Sequence, residues 1–488
     1  MTWSMTHIRR RFGQMPMTAV AVPLVVGILV ASYIDVPTAL WWSCAALCVG
    51  AAMLLHTGRG VWLALAMLPL GAALFNMDRP SDEICGRPMW MTLCFDDATL
   101  QGEGRNRASA EIVACEALPS AVGSSVFVSC DASLHFDKGD RITLYGEVVR
   151  FDDTPQWYTG LNCAGLLWLN EATSFEYLPA DNDSRHARAV EKLSRLTPAG
   201  DARATMLSMA IGERGRTQPS LRDTYAQSGT AHLLAVSGLH VGMFFLLANF
   251  LLTFIPLARG GNLLRCVAAT VAVWSYVTLC GSPPSAVRSA AMFSVLQLGI
   301  FTSREYGGAN TLAVAVAAML LCAPHLLFNT GFLLSVAAVA GIIFWGTPLI
   351  VSLHTHNRAL KIVVDLVAIG LVATVAVLPL TSNLFGVVAL AGVVVNPLVM
   401  LTANVIIVFA IAALLLPSPL ADFVVRPALQ CAEWQNALVG RMSEFEWSSF
   451  DYRLPTWAVI GIYALFAAVT IAAWGLERKK RPPTIKDN

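Results

Sequence analysis

Charged residues are scarce in this sequence of 488 residues: they make up 13% of the chain, whereas 56% of it is hydrophobic. A soluble globular domain carries roughly 25% charged residues, so this chain has too little polar surface to coat a water-soluble particle. The net charge of +1 excludes a global basic field that would attract nucleic acid to the whole surface. The shortage of charge therefore favours a membrane protein.

The sequence also lacks the usual signatures of metal and nucleotide chemistry. It contains no His-Glu-x-x-His pattern, no Cys-x-x-Cys pattern and no phosphate-binding Gly-x-x-x-x-Gly-Lys-Ser/Thr loop. We therefore expect no metal ion, no cofactor and no use of ATP by this chain.

Long apolar runs are what the sequence does contain, and about 20 apolar residues in a helix span a bilayer. Positive charges concentrate on the cytoplasmic side of a membrane. With Arg9–Arg11 on that side, three spans leave residue 78 outside, and both chain ends are cytoplasmic. The predicted spans, about 11–12 in all, are 17–34, 38–55, 61–77, 231–256, 262–280, 284–302, 308–323, 330–350, 361–380, 384–395, 397–416 and 456–475.

The end of this pattern has two interpretations. A break at Asn396-Pro397, with two crossings at 384–395 and 397–416, leaves the basic tail Arg478–Arg481 cytoplasmic. A re-entrant hairpin there would reverse the final span. Residues 417–450 carry an apolar stripe at helical spacing, which indicates an interfacial helix on the outer face or a helix packed on other protein.

Residues 78–195 differ from the rest, because they are polar and hold short β-type runs between turn signals. The predicted strands are Ser109–Ala114, Ser125–Cys130, Arg141–Val149 and Gly165–Leu169. We interpret this segment as a small β-domain outside the membrane. It has 19 Asp or Glu against 11 Lys or Arg, so any contact with a phosphate backbone needs a local basic patch.

Five of the eleven cysteines lie in this β-domain, and an extracytoplasmic domain can keep disulfides. Cys115 and Cys130 end two adjacent predicted strands, so we predict a disulfide between them, with Cys85 and Cys94 as another candidate pair. The alternative is that all five cysteines, Cys163 included, are buried small apolar side chains.

The most unusual stretch is Ser228–Met243, which places two histidines, three glycines and two serines at the head of an apolar run. Ionisable groups in a membrane usually face a bundle interior or a water-filled cavity, and Ser237-Gly238 can open a kink beside such a cavity. His232 and His240 therefore point either to contacts with a polar substrate or to hydrogen bonds between helices. Direct sharing of a metal would require a helix break between them.

A second polar group follows the double proline Pro283-Pro284, which starts a helix well. Arg288 and Ser289 lie one turn inside that helix, near the outer face. A guanidinium near a helix N-terminus attracts anions, although an arginine here can also extend outward to lipid headgroups. Asn396, with other asparagines and prolines in the apolar runs, indicates bent helices around a polar interior.

At these residues the sequence resembles the ComEC family, the bacterial competence proteins that are thought to form the inner-membrane channel for DNA. The run His232–Gly242 matches the signature of that family, and the matches in the same order are Ile211–Arg214, Pro284–Met292, Gly331–Val336, Leu378-Pro379 and Asn396–Leu398. The resemblance implies a membrane all-α fold, a polytopic helical bundle with an inserted extracytoplasmic β-barrel of OB-like type, in which Lys138–Glu147 forms one strand.

The resemblance also implies a function, the transport of single-stranded DNA across the bacterial cytoplasmic membrane during natural transformation. The expected partners are membrane lipid, a DNA-receptor protein outside, and a helicase or single-stranded-DNA-binding proteins inside. The expected DNA path comprises His232, Ser237, Gly238, His240, Pro284, Arg288, Ser289 and Asn396. Many members carry a metallo-β-lactamase-like domain, whereas this sequence has no His-x-His-x-Asp-His cluster. We therefore expect no enzymatic activity, and any nuclease would be a separate protein.

The resulting domain prediction has six parts. They are a membrane region (1–77), the OB-like β-domain (78–195), amphipathic approach helices (196–230), a competence channel domain (231–416), an amphipathic helix (417–450) and a last span with a basic tail (451–488). Three other functions remain open: a transporter of another polar or anionic solute, a membrane-embedded hydrolase that uses His232 and His240, and a structural scaffold.

Overall fold

The computed structural model is mostly helical, with one sheet inserted after the third helix. It describes residues 17–34, 36–55, 58–79, 82–96, 100–101, 105–150, 163–170, 172–179, 185–215, 217–234, 236–253, 261–301, 308–353, 357–445 and 447–480. The basic segment Arg9–Arg11, which was used to orient the N-terminal end, lies outside these residues. Of the basic tail Arg478–Arg481, the first three residues end the last described helix and Arg481 lies outside the described residues.

The helices follow one another in chain order as α1 to α16. Their bounds are Thr18–Tyr33, Thr38–Leu54, Arg59–Asp78, Arg185–Leu196, Asp201–Ile211, Pro219–Gln227, Gly238–Thr253, Gly261–Leu279, Pro284–Phe301, Gly308–Cys322, Thr330–Gly341, Thr347–Ser352, Arg358–Phe385, Ala391–Leu415, Ser418–Ser443 and Thr456–Lys480. A π-helical turn, Ile342–Gly346, joins α11 to α12.

Four helices in the described part of the chain are long and apolar enough to cross a membrane. They are Arg59–Asp78, Thr330–Ser352, Val367–Phe385 and Ala391–Leu415. Six shorter apolar helices of 10–17 residues lie at other predicted spans. The structure therefore agrees with a helical membrane protein, while the total of about 11–12 spans stays a prediction.

The predicted break at Asn396-Pro397 is wrong, because α14 runs unbroken from Ala391 to Leu415. The chain turns earlier, at Gly386, whose φ of +72° is a left-handed conformation that glycine adopts without strain. The two short strands β8 (Val387–Val388) and β9 (Phe450–Asp451) pair just after this turn. The segment 384–416 is thus the end of α13, a short strand and one long helix.

Helix α15, which covers most of the predicted amphipathic segment, packs on protein. Its apolar face is buried in the same core cluster as α14 and the approach helices α4 to α6. The buried positions on α15 are Ala421, Val425, Ala428, Ala432, Gln435 and Val439. This small-residue face allows close approach to α14, which favours the second interpretation of the amphipathic stripe.

A buried polar network crosses this helical core. The hydroxyl of Tyr225 donates to Oδ1 of Asn436 at 2.7 Å and accepts from Nε2 of Gln435 at 2.9 Å. Thr205 also donates to Asn436, and Thr402 donates to Oε1 of Gln435. Because these side chains come from α5, α6, α14 and α15, the network fixes how the four helices pack.

The β-domain confirms all four predicted strands and adds three others. The strands are β1 (Pro88–Phe95), β2 (Leu100–Gln101), β3 (Arg105–Cys115), β4 (Ser125–Asp131), β5 (Arg141–Glu147), β6 (Cys163–Leu169) and β7 (Phe175–Leu178). They form an open sheet in the order β6-β4-β3-β1-β5-β7, with β2 beside β3. A single bridge between Val149 and Leu166 also connects the end of β5 with β6.

The predicted disulfide is wrong, because Cys115 and Cys130 are both present as thiols. Cys130 on β4 faces Asn106 on β3, and nine residues separate Asn106 from Cys115, which is about 30 Å along a strand. Cys85 and Cys94 are held apart as well, because Cys85 bridges Val148 whereas Cys94 pairs with Arg141. Most of these side chains fill the inside of the sheet, as the alternative interpretation expected.

Candidate functional site

Helix α7 begins at the predicted kink, and His240 caps its first turn. The backbone N–H of Ser237 donates to Nδ1 of His240 at 3.2 Å. Residues Ala231–Leu234 form a separate 3-10 turn that holds His232, so the chain does not run as one helix between the two histidines. His240 is fully buried, while His232 is exposed.

The kink packs directly on the first turns of α9. The hydroxyl of Ser285 donates to the carbonyl of Val236 at 2.6 Å, and Ser289 donates to the carbonyl of Ser285 at 2.9 Å. A Cβ atom on Gly238 would lie 2.9 Å from the hydroxyl of Ser289. Glycine is therefore needed for the close contact, and the structure brings together two motifs that are about 50 residues apart in the sequence.

Arg288 extends from α9 towards the start of α11. Its Nη1 donates to Oδ1 of Asn329 at 3.4 Å, and Nη2 would lie 2.7 Å from a Cβ on Gly331. The side chain is only 5% exposed, and among the described residues no carboxylate lies within ion-pair distance of it. A buried cation without an acidic partner is costly and is well suited to hold an anion.

Four of the eleven buried side-chain polar atoms that lack a partner in the described structure belong to predicted path residues. Oγ of Ser237, Nε2 of His240, Nε of Arg288 and Oδ1 of Asn396 are buried and make no hydrogen bond within the described part of the protein. Buried polar groups are normally satisfied, so each of these atoms needs an explanation. An unpartnered donor on His240 and another on Arg288 are the groups that a bound anion or water would satisfy.

The remaining path residues lie around this centre. A Cβ atom on Gly392 of α14 would lie 3.3 Å from both Nδ2 of Asn396 and the carbonyl oxygen of Gly229, at the turn before His232. Pro284 begins α9 as predicted. The structure thus packs Gly238 against Ser289, beside Ser237 and His240. Arg288 turns instead towards Asn329, His232 lies on the preceding 3-10 turn, and Asn396 lies on α14.

A cavity of about 2170 Å³ lies between the β-domain and the helices, and its lining includes none of the eight predicted path residues. Val236, Pro283 and Asn329 contribute to its lining, and each is next to a path residue in the chain or, for Asn329, bonded to Arg288. Five Lys or Arg and five Asp or Glu line it. The basic and acidic side chains are therefore equal in number, and attraction of an anion depends on where the basic ones lie. Burial and the Asp140 carboxylate raise the pKa of the lining residue Tyr177 to about 12.

Several residues that line this cavity contact one another across it, from the β-domain and α4 to the helices. Nζ of Lys138 donates to the carbonyl of Gly281. His186 on α4 contacts the carbonyl of Leu279 at 2.9 Å and Glu213 at 3.4 Å. These residues were missed by the motif argument, since they lie outside the apolar runs and only the fold brings them to the α8–α9 turn.

A second contact between a histidine and a carboxylate at the cavity joins distant parts of the chain. His325 contacts Asp78 at 2.6 Å through its ring and at 3.0 Å through its backbone N–H. Asp78 ends α3, so this pair ties the N-terminal helices to the turn that carries Asn329. No feature of the sequence indicated this pairing.

Comparison with known proteins shows which family the chain belongs to. A family model described as competence protein matches residues 209–479, which is more than half of the chain. The chain belongs to the competence protein family. The matched region contains all eight predicted path residues, whereas the β-domain lies before it. Family membership and the four long apolar helices make this a membrane protein.

Several relatives share parts of the sequence. The chain is 26% identical over 312 residues to YcaI of Escherichia coli K12, which covers 57% of this chain and 40% of that protein. It is 27% identical over 198 residues to Recombination protein 2 of Haemophilus influenzae, covering 40% of this chain and 24% of the relative. ComE operon protein 3 of Bacillus subtilis is 28% identical over 137 residues, which are 28% of this chain and 17% of the relative.

The chain thus matches less than half of the length of each of these relatives. No solved structure matches the chain.

Proposed function

We propose that this chain carries single-stranded DNA inward across the bacterial cytoplasmic membrane during natural transformation. The observation that supports this most is Arg288, a buried guanidinium that has no acidic partner in the described structure and lies beside a large cavity. DNA carries one phosphate charge per nucleotide, and an arginine fork binds phosphate oxygens well. Membership of the competence family and the relatives named above support the same substrate.

In this mechanism the β-domain receives the strand and the cavity leads it to the helices. Arg288 and the unpartnered His240 donor then contact phosphates in turn. The cavity is larger than the roughly 300–1,000 Å³ of ordinary small-molecule pockets. Its balanced lining charge favours passage, because a strand that bound too tightly to a continuous basic wall would not leave it.

We further infer that the β-domain is OB-like. The sheet order, with β4 and β6 parallel and a bridge from Val149 to Leu166, supports a five-stranded partly open barrel made of β1, β3, β4, β5 and β6. We also propose about 11–12 crossings with both chain ends cytoplasmic, as the positive charges in the sequence indicate.

The chain is proposed to act without catalysis of its own. The proposed partners are a DNA receptor outside and a helicase or single-strand-binding proteins inside. Energy would come from such partners, and any strand degradation from a separate nuclease. Transport of a different anionic solute is the competing function, and the experiment below separates the two.

The test uses a deletion strain complemented with wild type, Arg288→Gln, Arg288→Lys or Arg426→Gln at matched protein level. Arg426 is an exposed cation on α15 and serves as the control. DNase-protected uptake of labelled DNA and transformant frequency are measured. We expect Arg288→Gln to lower DNA uptake and transformant frequency by about tenfold or more. A hydrogen bond to a charged group contributes about 1.5 kcal/mol, and its loss corresponds to about a tenfold change. Undiminished uptake in the deletion strain would overturn the proposal.

A further inference from the structure

One face of the β-domain places an exposed tryptophan among arginines. Arg107 on β3 faces Ser129 on β4, and Ser129 in turn faces Trp168 on β6. The next cross-strand pair is Arg105 with Asp131. Facing residues of adjacent strands share one side of a sheet, so these five side chains form one continuous surface, which we call the β3–β6 face.

The side chains on this face contact one another. The guanidinium carbon of Arg105 lies 4.5 Å from the centre of the Trp168 ring, within the range of a cation–π interaction. Ser129, between the flanking side chains, is only 4% exposed, whereas Trp168 is 50% exposed. The indole is therefore held in place by Arg105 and still presents much of its surface to solvent.

The charge on the face favours an anionic partner. Asp131 lies 3.8 Å from Arg105 and offsets it, while Arg107 is exposed and appears in no ion pair among the described residues. This local excess stands out because the β-domain as a whole is acidic.

The β3–β6 face is also continuous with the cavity. Two residues further along β3, Ser109 faces Phe127, and the following pair is Glu111 with Ser125. Ser109 and Ser125 both line the cavity between the β-domain and the helices. A chain-like ligand on the β3–β6 face therefore has a direct route along the strands to the helices.

From these observations we propose that the β3–β6 face is the entry site for single-stranded nucleic acid, with one base stacked on Trp168 and phosphates bound by Arg105 and Arg107. This assignment rests on the proposed function and gives the place where the strand is first bound. Aromatic platforms flanked by arginines bind single strands with little sequence preference. Duplex DNA fits less well, since its bases are already stacked and cannot cover the indole.

The test uses the full chain in detergent and a fluorescein-labelled oligothymidine of about 15 nucleotides, within the usual size of such sites. Fluorescence anisotropy is compared for wild type, Trp168→Ala, Trp168→Phe and Arg107→Gln. Trp90→Ala is the matched control, because Trp90 is 58% exposed on β1 beside Tyr145, three strands away from Trp168.

We expect Trp168→Ala to weaken binding by about tenfold, with Trp168→Phe in between and Trp90→Ala unchanged. Arg107→Gln should also reduce the slope of log affinity against log salt by about 0.7, as the loss of one phosphate contact on a single strand does. Equal weakening by Trp168→Ala and Trp90→Ala, or equal affinity for duplex of the same length, would overturn the assignment.

DNA uptake by cells tests the transport function separately from the proposed entry site on the β3–β6 face. If the deletion strain loses uptake but Trp168→Ala binds oligothymidine normally, the entry site is wrong and the transport function stands. If the deletion strain takes up DNA normally, the transport function fails, whatever the binding results.

Discussion

The backbone N–H of Ser237 donates to Nδ1 of His240 at 3.2 Å, so the histidine caps the helix on which it lies. With α7 beginning at Gly238, Ser237 is the N-cap residue and His240 the third helical residue, the position that Glu or Gln takes in a capping box. An imidazole that accepts at Nδ1 carries its proton on Nε2. The cap thus fixes the tautomer and directs a buried N–H donor away from its own helix.

The first prediction compares two substitutions of His240. Glutamine can accept from the N–H of Ser237 through its carbonyl group, whereas alanine cannot, and loss of a cap costs about 1 kcal/mol. We expect His240→Ala to lower the melting temperature of the purified protein in detergent, and His240→Gln to lower it less. His232→Ala, at an exposed position, should leave it unchanged. Equal melting of the Gln and Ala variants would show that the cap contributes nothing.

Ser237, His240 and Arg288 stood out in the sequence because such residues are rare in apolar runs, and their place on a DNA path stays a prediction. Ser237, His240 and Arg288 are costly in lipid, so their presence alone indicated a polar interior. Their mutual packing was not predictable, since the contact of Gly238 with Ser289 joins segments about 50 residues apart. The contact of Asp78 with His325 was missed for the same reason, because 247 positions of sequence separate the two residues.

Errors in the fold prediction have identifiable physical causes. Pro397 disfavours a continuing helix by local rules, yet packing around α14 keeps the helix intact, and the chain turns at Gly386 instead. The cysteine pairing failed because strand ends in a sequence do not reveal register. The strands themselves were predictable, because their alternating pattern and turn residues are local signals.

The second prediction concerns the position of Arg288 and uses Gly331. A Cβ atom there would lie 2.7 Å from Nη2 of Arg288 and 3.3 Å from Oδ1 of Asn329. Gly331→Ala should therefore displace the guanidinium and lower DNA uptake as Arg288→Gln does, without loss of folded protein. Gly440→Ala is the control, because an added Cβ meets nothing within 4 Å there. Normal uptake by Gly331→Ala would mean that the guanidinium position is not critical.

The third prediction concerns the thiols of the β-domain. Burial raises the pKa of Cys130 to about 11 and that of Cys163 to about 12, so very little thiolate is present at pH 8 and alkylation of the folded protein should be slow. Cys94, which is less buried and lines the cavity, should react faster than either. Mass spectrometry after iodoacetamide treatment measures both rates. After denaturation without reductant all eleven cysteines should be modified, and a protected pair would contradict the assignment of free thiols.

The fourth prediction addresses the polar network in the helical core of α5, α6, α14 and α15. Tyr225→Phe removes a hydroxyl that donates to Asn436 and accepts from Gln435, so buried polar groups on α15 lose a partner at a cost of about 1–3 kcal/mol. We expect a lower melting temperature in detergent, whereas Tyr452→Phe, at a side chain 54% exposed, should melt like wild type. The asymmetry follows from burial, because water replaces the lost partner only at the exposed site. If both variants melt like wild type, the network does not hold α5, α6, α14 and α15 together, and the apolar contacts in this core suffice.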